Sequence, residues 1–460
     1  MTVQLSKPAR GSIPIHTTTA AGFAALAAAQ PPATQRWFKT LGFAGAADTH
    51  ALLPGADGSL QAVWAGVRSA AHPWALSALP LVLPEGHYHL ADEGLVLDAG
   101  AAALSWELGS YQFDLYKAAR RAPAQLHLLP SAAAQRALIV AAAMASTRDL
   151  VNTPAEHMGP AELAEAVRLV ARQHGATFKQ TVGDKLLPGF PAVHAVGRAA
   201  LRAPRMIELN WGKPKHPRIT LVGKGVCFDS GGLDIKGADG MRLMKKDMGG
   251  AANALGLAQM VMALKLPVRL QLLIPAVENA IAGNAYRPGD VFKTRSGLHI
   301  EIGNTDAEGR VILCDALSYA AESKPELLID LATLTGAARV ALGSQLPALF
   351  TRDTPLARRL VDEGLALDDP LWHMPLWDAY HRGIESDIAD IVNTGKNALG
   401  GAINAALFLQ DFVPATQAWM HIDLFAWNDG ARPGRPVGGE AQTVRTLLAY
   451  LEQRCGAPGA

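Results

Sequence analysis

Residues 304–310 read NTDAEGR, which places two carboxylates, a glycine and a guanidinium within seven positions. A short β-like alternation, HIEI, precedes this stretch at 299–302, and an apolar helix-like run, VILCDAL, follows it at 311–317. Ligands of α/β proteins bind at such junctions, because they sit outside the carboxyl ends of the strands. Asp306 and Glu308 are two residues apart, so one turn could aim both at a divalent metal ion. The alternative is a helix N-terminus whose acids complement the helix dipole, and this stretch alone does not decide between the two.

A second polar stretch, LVGKGVCFDSGGLDIKGADGMRLMKKDMGG, occupies residues 221–250. It supplies Lys224, Asp229, Lys236 and Asp247 among many glycines. Glycines with lysines could also form a phosphate-binding loop. However, neither GxxxxGK[ST] nor GxGxxG after a strand is present, so nucleotide binding is weakly supported. Together the two stretches predict a site flanked by four acidic side chains and two lysines.

The sequence resembles the leucyl aminopeptidase family, the dinuclear metallo-exopeptidases of the cytosol. Residues 304–310 are similar to the signature of that family. A further block, GKG, FDSGG, Lys236 and KDM within residues 223–248, matches at the family's spacing, and ATLTGA at 332–337 matches the next strand. The resemblance extends over residues 149–451 and implies an aminopeptidase acting on peptides with a free amino terminus.

The same resemblance implies two divalent metal ions, Mn²⁺ or Zn²⁺, in each subunit. Asp229 and Glu308 are expected to bridge them, Asp247 and the Lys224 amine to complete the tighter site, and Asp306 to complete the exchangeable one. Lys224 must then bind as the neutral amine, which is costly at an ordinary lysine pKa of about 10.4. A dry pocket holding two dications can lower that pKa by several units.

Two further cations receive catalytic roles from the resemblance. Lys236 is expected to hold the scissile carbonyl oxygen and the oxyanion that follows it, while a water acidified by two metals attacks. The matching blocks contain no histidine or spare carboxylate to act as base, and Arg310 matches the family arginine that holds a bicarbonate for this purpose. The residues expected to line the substrate pocket are Met244, Asn304, Thr333, Leu334, Gly336 and Phe425. Phe425 stands where the family has a small residue, so a preference for leucine does not follow.

Composition bounds the remaining possibilities. A chain of 460 residues with 49% hydrophobic and 18% charged residues is typical of a soluble globular protein with two domains. With 42 Lys and Arg against 41 Asp and Glu, it has no basic excess for binding nucleic acid. Three cysteines form no disulfide framework, which favours a reducing cytoplasm. No apolar run is long enough to span a bilayer, and residues 20–29 predict a short alanine-rich helix rather than a signal peptide.

The order of elements predicts two α/β domains. Residues 1–130 form the smaller one, with strand-like pieces at 62–67, 79–83 and 125–129. A helix beginning at Ser131 and ending at Arg148 lies in a linker, residues 131–152. Residues 153–460 alternate strands and helices, which predicts a mixed, largely parallel sheet covered by helices in the catalytic domain. The family resemblance also implies a homo-hexamer built as a dimer of trimers.

Two other classes of function were weighed against the aminopeptidase. A non-catalytic assembly protein or a nucleic-acid-binding protein predicts lost ligands or a basic face, and neither is found in the sequence. Another dinuclear hydrolase, such as a phosphoesterase, predicts a ligand set rich in histidine. His157, His299 and His421 instead lie outside the matching ligand positions.

Overall fold

A computed structural model describes residues 1–119 and 121–456. The chain forms two compact units, Met1–Ala145 with Gly430–Val437, and Ser146–Asp429 with Gly438–Ala460. The division predicted from the sequence is 1–130, a linker helix 131–152, and 153–460; the helix Ala132–Asn152 contributes residues to both compact units. The chain also returns to the first unit near its end, where the guanidinium of Arg435 lies 3.9 Å from the ring centroid of Trp74.

The first unit contains a six-stranded sheet in the order β1-β6-β5-β2-β4-β3. Neighbouring strands are parallel except for the β3–β4 pair. Its elements are β1 (Val3–Leu5), β2 (Ile13–Thr18), α1 (Ala20–Ala28), α2 (Pro32–Leu41), β3 (His50–Pro54), β4 (Leu60–Gly66), β5 (His87–Leu90), α3 (Ala99–Gly109) and β6 (Gln125–Leu128).

One strand predicted in this unit is wrong. Residues 79–83 form consecutive turns, in which the amides of Val82 and Leu83 both donate to the Leu79 carbonyl (3.0 Å each). Pro80 cannot donate to a strand ladder, so the apolar run LPLVL folds back on itself instead. The predicted strands at 62–67 and 125–129 and the alanine-rich helix at 20–29 are confirmed within a few residues.

Helix α4 (Ala132–Asn152) follows, with the Ser131 hydroxyl accepting a hydrogen bond from the Ala134 amide (3.1 Å) as its N-cap. It runs four residues beyond the predicted end. Among residues 1–119 and 121–456, no helix is both long enough and apolar enough to cross a membrane.

In its described residues the second unit contains fourteen strands or strand fragments, nine helices and several short 3₁₀ turns. The helices are α5 (Pro160–His174), α6 (Pro191–Gly197), α7 (Ala238–Met241), α8 (Gly249–Ala263), α9 (Glu308–Glu322), α10 (Gly336–Leu342), α11 (Thr354–Ala366), α12 (Gly401–Gln410) and α13 (Val444–Cys455). The strands are β7 (Thr177–Val182), β8 (Arg205–Trp211), β9 (Arg218–Gly223), β10 (Gly225–Asp229), β11 (Arg269–Asn279), β12 (Val291–Lys293), β13 (His299–Glu301), β14 (Leu327–Ala332), β15 (Ala348–Thr351), β16 (Trp372–His373), β17 (Ile391–Val392), β18 (Trp419–Asp423), β19 (Trp427–Asn428) and β20 (Gly438–Gly439), of which β7 opens the series.

Nine of these strands form the main sheet. Eight follow the order β16-β15-β18-β14-β9-β11-β8-β7, and β10 pairs with the C-terminal end of β11. Five of its eight strand pairs in the described chain are parallel. The mixed, largely parallel sheet predicted from the sequence is therefore confirmed. Helices α8 and α9 are buried along nearly their whole length, as expected for helices that cover a sheet.

The carboxyl ends of three parallel strands meet at one edge of this sheet. Gly223 at the end of β9 is opposite Leu331 of β14, and Ala332 of β14 is opposite Asp423 of β18. The next residues, Lys224 and Thr333, therefore emerge side by side. This edge is where an open α/β sheet positions a ligand.

The centre of the sheet holds a buried polar cluster. The Asp330 carboxylate accepts hydrogen bonds from the Trp419 indole (2.7 Å) and pairs with His421 Nδ1 (2.5 Å). The side chains of Asp330 and His421 are wholly buried. Burial lowers the pKa of His421, but the Asp330 carboxylate raises that pKa by more, so the net shift is upward. The protonated pair therefore stabilises the fold most below the ordinary histidine pKa of about 6.5.

Replacing Asp330 by Asn should lower the free energy of unfolding by roughly 3–5 kcal/mol, because it leaves a buried cation without its counter-ion. The deficit relative to the unaltered protein should be largest below pH about 6.5 and should shrink as the pH rises through the raised pKa of His421. Urea unfolding at several pH values measures it.

Asp390→Asn is the matched control, because Asp390 pairs with His299 at 3.5 Å while both side chains are about half exposed. Its cost should stay near or below about 1 kcal/mol. Equal losses in the two variants would show that the buried pair does not stabilise the sheet.

Candidate metal centre

Five predicted ligands come from five separate segments that end at the same edge of the sheet. The segments are the β9–β10 junction (Lys224), the end of β10 (Asp229), the 3₁₀ turn Met244–Met248 (Asp247), the 3₁₀ turn Thr305–Ala307 (Asp306) and the first residue of α9 (Glu308). Asp229, Asp306 and Glu308 each offer a carboxylate oxygen within 4.8 Å of the others. The fold therefore gathers acids from distant parts of the sequence at one point.

Lys224 is the centre of the inner half of this site. Its Nζ forms ion pairs with Asp247 Oδ2 (2.8 Å) and Glu308 Oε1 (2.9 Å) and donates a hydrogen bond to the Thr333 carbonyl (2.8 Å). The residue is only 2% exposed. The ammonium is therefore surrounded by oxygen atoms of the protein and almost wholly shielded from solvent.

Gly309 makes room for that lysine. A Cβ atom built on Gly309 would lie 2.4 Å from Lys224 Cε and 2.7 Å from Nζ. Any larger residue at 309 must therefore displace the lysine, which three acceptors hold in place. The glycine of the NTDAEGR stretch is explained by this close approach of helix α9 to Lys224.

Lys236 occupies the outer half of the site. Its Nζ pairs with Asp229 Oδ2 (2.8 Å) and with Asp306. Its side chain is 16% exposed, against 3% for Lys224. Of the two lysines, Lys236 is therefore the one that a molecule entering from solvent can reach.

Neutral groups hold the carboxylates in position. Asp229 Oδ1 accepts hydrogen bonds from the Gly231 amide and from Asn279 Nδ2 (2.8 Å each), and the same Asn279 amide donates to the Thr305 carbonyl (3.0 Å). The Thr333 hydroxyl donates to Asp247 Oδ1 (2.8 Å). Asn279 was not identified from the sequence, because it closes a long strand with no motif around it.

The electrostatics of the cluster show an excess of negative charge. Burial and the neighbouring Asp229 raise the pKa of Asp306 to about 6 and raise that of Glu308 well above its ordinary value. Burial alone would lower the pKa of Lys224 and of Lys236, yet the surrounding carboxylates raise both. The pKa values of the two acids rise mainly because of burial and further because of the neighbouring carboxylate, whereas those of the two lysines rise because the carboxylates outweigh burial. Hard divalent cations with oxygen ligands fit such a site.

Arg310 lies beside the acids at the start of α9. It is 9% exposed, its Nη1 donates to the Asn393 carbonyl (2.8 Å), and its Nε has no hydrogen-bond partner among the described residues. Burial lowers the pKa of this guanidinium to about 10. The Arg310 guanidinium therefore keeps its positive charge at neutral pH, and its Nε can still donate a hydrogen bond.

One cleft contains all but one of the predicted site residues. It is lined by the five ligands, by Lys236 and Arg310, and by Met244, Thr333, Leu334, Gly336 and Phe425. Asn304 is the exception. Its side chain accepts a hydrogen bond from the Asp306 amide (2.6 Å) and caps the turn that carries Asp306, so the structure gives it a positioning contact.

The cleft also contains cations that sequence analysis did not select. Lys246 and Arg339 both line it, beside Phe425. Burial lowers the pKa of the Lys246 ammonium to about 8. The only hint in the sequence is the doubled lysine at 245–246, immediately before Asp247.

Two protein-family models and several known proteins match most of the chain. The model described as the catalytic domain of the cytosol aminopeptidase family matches residues 145–448, and that of the M17 aminopeptidase N-terminal domain matches residues 13–130. A probable cytosol aminopeptidase of Geobacter sp. strain M21 is 42% identical over 372 residues, which cover 77% of this chain and 75% of that protein. One of Roseiflexus castenholzii is 42% identical over 368 residues, or 75% and 74% of the two chains.

Solved structures give the same result over nearly the whole chain. The crystal structure of a cytosol aminopeptidase from Coxiella burnetii matches with a TM-score of 0.93 and 50% identity, covering 98% of this chain and 99% of that one. The bottromycin maturation enzyme BotP in complex with Mn matches with a TM-score of 0.86 and 34% identity, covering 97% and 100%.

Gly309→Ala should displace the Lys224 ammonium and disturb the inner half of the site. We expect the free energy of unfolding to fall by about 1–3 kcal/mol, the usual cost of overpacking, although alanine is the better helix former. Mn²⁺ binding should weaken at the same time. Urea unfolding and titration calorimetry with Mn²⁺ measure the two effects.

Gly240→Ala serves as the control, because it also adds a methyl group to a helical glycine, and its Cβ would meet only Lys236 Cβ at 4.0 Å. It should leave stability and Mn²⁺ affinity close to those of the unaltered protein. If Gly309→Ala also kept both, the glycine would not be required by Lys224.

Proposed function

The chain belongs to the cytosol aminopeptidase family, and from that membership we propose that it releases single amino acids from the free amino terminus of peptides with two bound divalent metal ions. One observation is the main support for the binding of divalent metal ions. Four carboxylates and two lysines from six segments converge in one cleft, where the pKa values of Glu308 and Asp306 are raised. Such a cluster is stable in the ionised form only when cations stand among the acids.

The proposed ligands are the ones that converge there. Asp229 and Glu308 would hold both ions, Lys224 and Asp247 would complete the inner site, and Asp306 would complete the exchangeable one. The ions are Mn²⁺ or Zn²⁺, and the relative crystallised with Mn supports the former. When bound, they supply a water acidified enough to attack a peptide carbonyl at neutral pH. Lys224 must then give up its proton. Burial favours the neutral amine, but the neighbouring carboxylates raise the pKa of Lys224 overall, so loss of the proton requires metal ions to neutralise those carboxylates.

The different exposure of the two lysines supports different roles. Lys224 is enclosed, whereas Lys236 faces the open side of the cleft. We assign Lys236 to the scissile carbonyl oxygen, where its ammonium meets the charge that develops on that oxygen during attack. Arg310 has an unused Nε beside the same cleft, which suits it to hold a bicarbonate that takes up the proton of the attacking water.

An exopeptidase also needs a place for the free α-amine of its substrate. Asp247, beside the acids of the site, is the proposed partner for that amine. In the described chain, no histidine lines the cleft, which disfavours a dinuclear phosphoesterase with histidine ligands.

We further propose that the enzyme is cytoplasmic, forms a homo-hexamer and has no nucleic-acid or membrane partner. The location is supported by three free cysteines and by the names of the relatives, and the hexamer by the family resemblance.

The direct test of this function compares aminoacyl arylamides with their N-acetylated forms. The free substrates should be hydrolysed and the acetylated ones should not, because acetylation removes the basic amine. Chelation should abolish the activity, and Mn²⁺ or Zn²⁺ should restore it. Similar rates on free and acetylated substrates would contradict the exopeptidase assignment, and full activity in metal-free protein would contradict the metal mechanism.

Exchanging each lysine for alanine should separate the two lysine roles. Lys224→Ala removes a ligand, so metal content and activity should fall together. Lys236→Ala should keep about two ions per chain and lower kcat by about 10²–10³, the usual effect of losing one oxyanion donor. Elemental analysis beside steady-state kinetics measures both. Loss of metal from Lys236→Ala with retention in Lys224→Ala would reverse the assignment.

A further inference from the structure

Two cations face the same aromatic ring inside the cleft. Lys246 Nζ lies 4.8 Å from the ring centroid of Phe425, and the guanidinium carbon of Arg339 lies 4.6 Å from it. Lys246 is only 4% exposed, whereas Arg339 is exposed at the rim. All three residues line the cleft that contains the acids.

Neither cation has an anionic partner. Within residues 1–119 and 121–456, no carboxylate oxygen lies within 4.0 Å of either side chain. The two carboxylates that act on Lys246 from nearby are engaged elsewhere. Asp247 pairs with Lys224 and Thr333, and Asp423 accepts hydrogen bonds from the Leu334 amide (2.9 Å) and the Thr335 hydroxyl (2.6 Å).

A buried ammonium in this situation is short of acceptors. The face of a phenyl ring attracts a cation, but it does not replace the three hydrogen bonds that a lysine ammonium can donate to oxygen acceptors. Buried charges in proteins are otherwise paired, because leaving them unpaired is costly. The cleft therefore presents two positive charges and an aromatic wall, and no carboxylate of the described residues forms an ion pair with either charge.

The ring and the guanidinium are held where the first side chain of a substrate is expected. The amides of Phe425 and Ala426 both donate to Gln442 Oε1 (3.0 and 2.8 Å), and Ala426 has φ of 54°, so the backbone under the ring is fixed. Arg339 Nη2 would lie 3.5 Å from a Cβ atom on Gly336. The guanidinium thus folds back over a residue assigned to the substrate pocket.

We propose that this pocket selects peptides whose first residue is Asp or Glu, with the side-chain carboxylate bound by Lys246 and Arg339. The inference rests on the aminopeptidase function proposed above and names its substrate class. Hydrogen bonds between charged partners are stronger than neutral ones, and Arg matches a carboxylate with two parallel donors. Phe425 adds to the selection because its ring takes up the space that a large aliphatic side chain would need.

Arylamides of Glu and Gln test this selection, because they have the same shape and no other carboxylate. The unaltered enzyme should prefer Glu over Gln in kcat/KM by about 10-fold or more, since a hydrogen bond to a charged group contributes about 1.5–3 kcal/mol. Lys246→Met and Arg339→Gln should each lower that ratio by about 10-fold. Arg339 is exposed, so its variant keeps the test valid even if Lys246→Met fails to fold.

Lys245→Met is the matched control. Lys245 is adjacent in sequence, but its ammonium donates to the Asn152 carbonyl and lies over Trp427, outside the cleft lining. Its variant should keep the Glu/Gln ratio of the unaltered enzyme.

The outcomes separate the two proposals. A ratio near one in the unaltered enzyme, or a ratio that both cleft variants leave unchanged, would overturn the acidic selection while hydrolysis itself upheld the aminopeptidase. An equal loss of kcat/KM on Glu and Gln arylamides in Lys246→Met and Arg339→Gln would also overturn the acidic selection. The two cations would then act on something other than the first side chain of the substrate. Hydrolysis of no arylamide at all would reject the proposed function, and the selection with it.

Discussion

Mutual repulsion among four converging carboxylates, three of them buried, is the constraint on which the rest of the catalytic unit depends. Asp229, Asp247, Asp306 and Glu308 come from segments that local structure alone would not bring together. The register of β9, β14 and β18 sets their positions at one sheet edge, and cations must stand among them for the cluster to exist. Lys224 and Lys236 supply two positive charges, and the raised pKa values of the acids indicate that more positive charge is needed.

That constraint explains several features that look unrelated in the sequence. Gly309 lacks a side chain because Lys224 passes directly beside it. The Asn279 amide donates a hydrogen bond to Asp229, and the Thr333 hydroxyl donates one to Asp247. These hydrogen bonds hold the two carboxylates in position. The buried helices α8 and α9 pack against the sheet strands that lead to the site. Rigid scaffolding of this kind is what a precise ligand set requires.

Much of this was predictable from the sequence, and the failures have physical causes. The alternation of strands and helices predicts the mixed sheet, and two motifs supply every acid of the cluster. The strand at 79–83 failed because hydrophobicity alone does not show that Pro80 breaks the ladder. Lys246 was overlooked because consecutive residues in a 3₁₀ turn point in different directions, so only the folded chain separates it from Lys245. The unit boundaries depend on residues 430–437, which pack with a part of the chain about 350 positions earlier, and no local pattern encodes such a return.

The central claim is that the acid cluster binds two divalent ions. Anomalous diffraction from crystals grown with Mn²⁺ tests it most directly, because it locates the ions among the side chains. We predict two anomalous peaks in each subunit, both within coordination distance of Asp229 and Glu308, with the Lys224 amine bound to one of them. Absence of peaks from this cleft at saturating Mn²⁺, with the Lys224 ammonium still paired to Asp247 and Glu308, would contradict it.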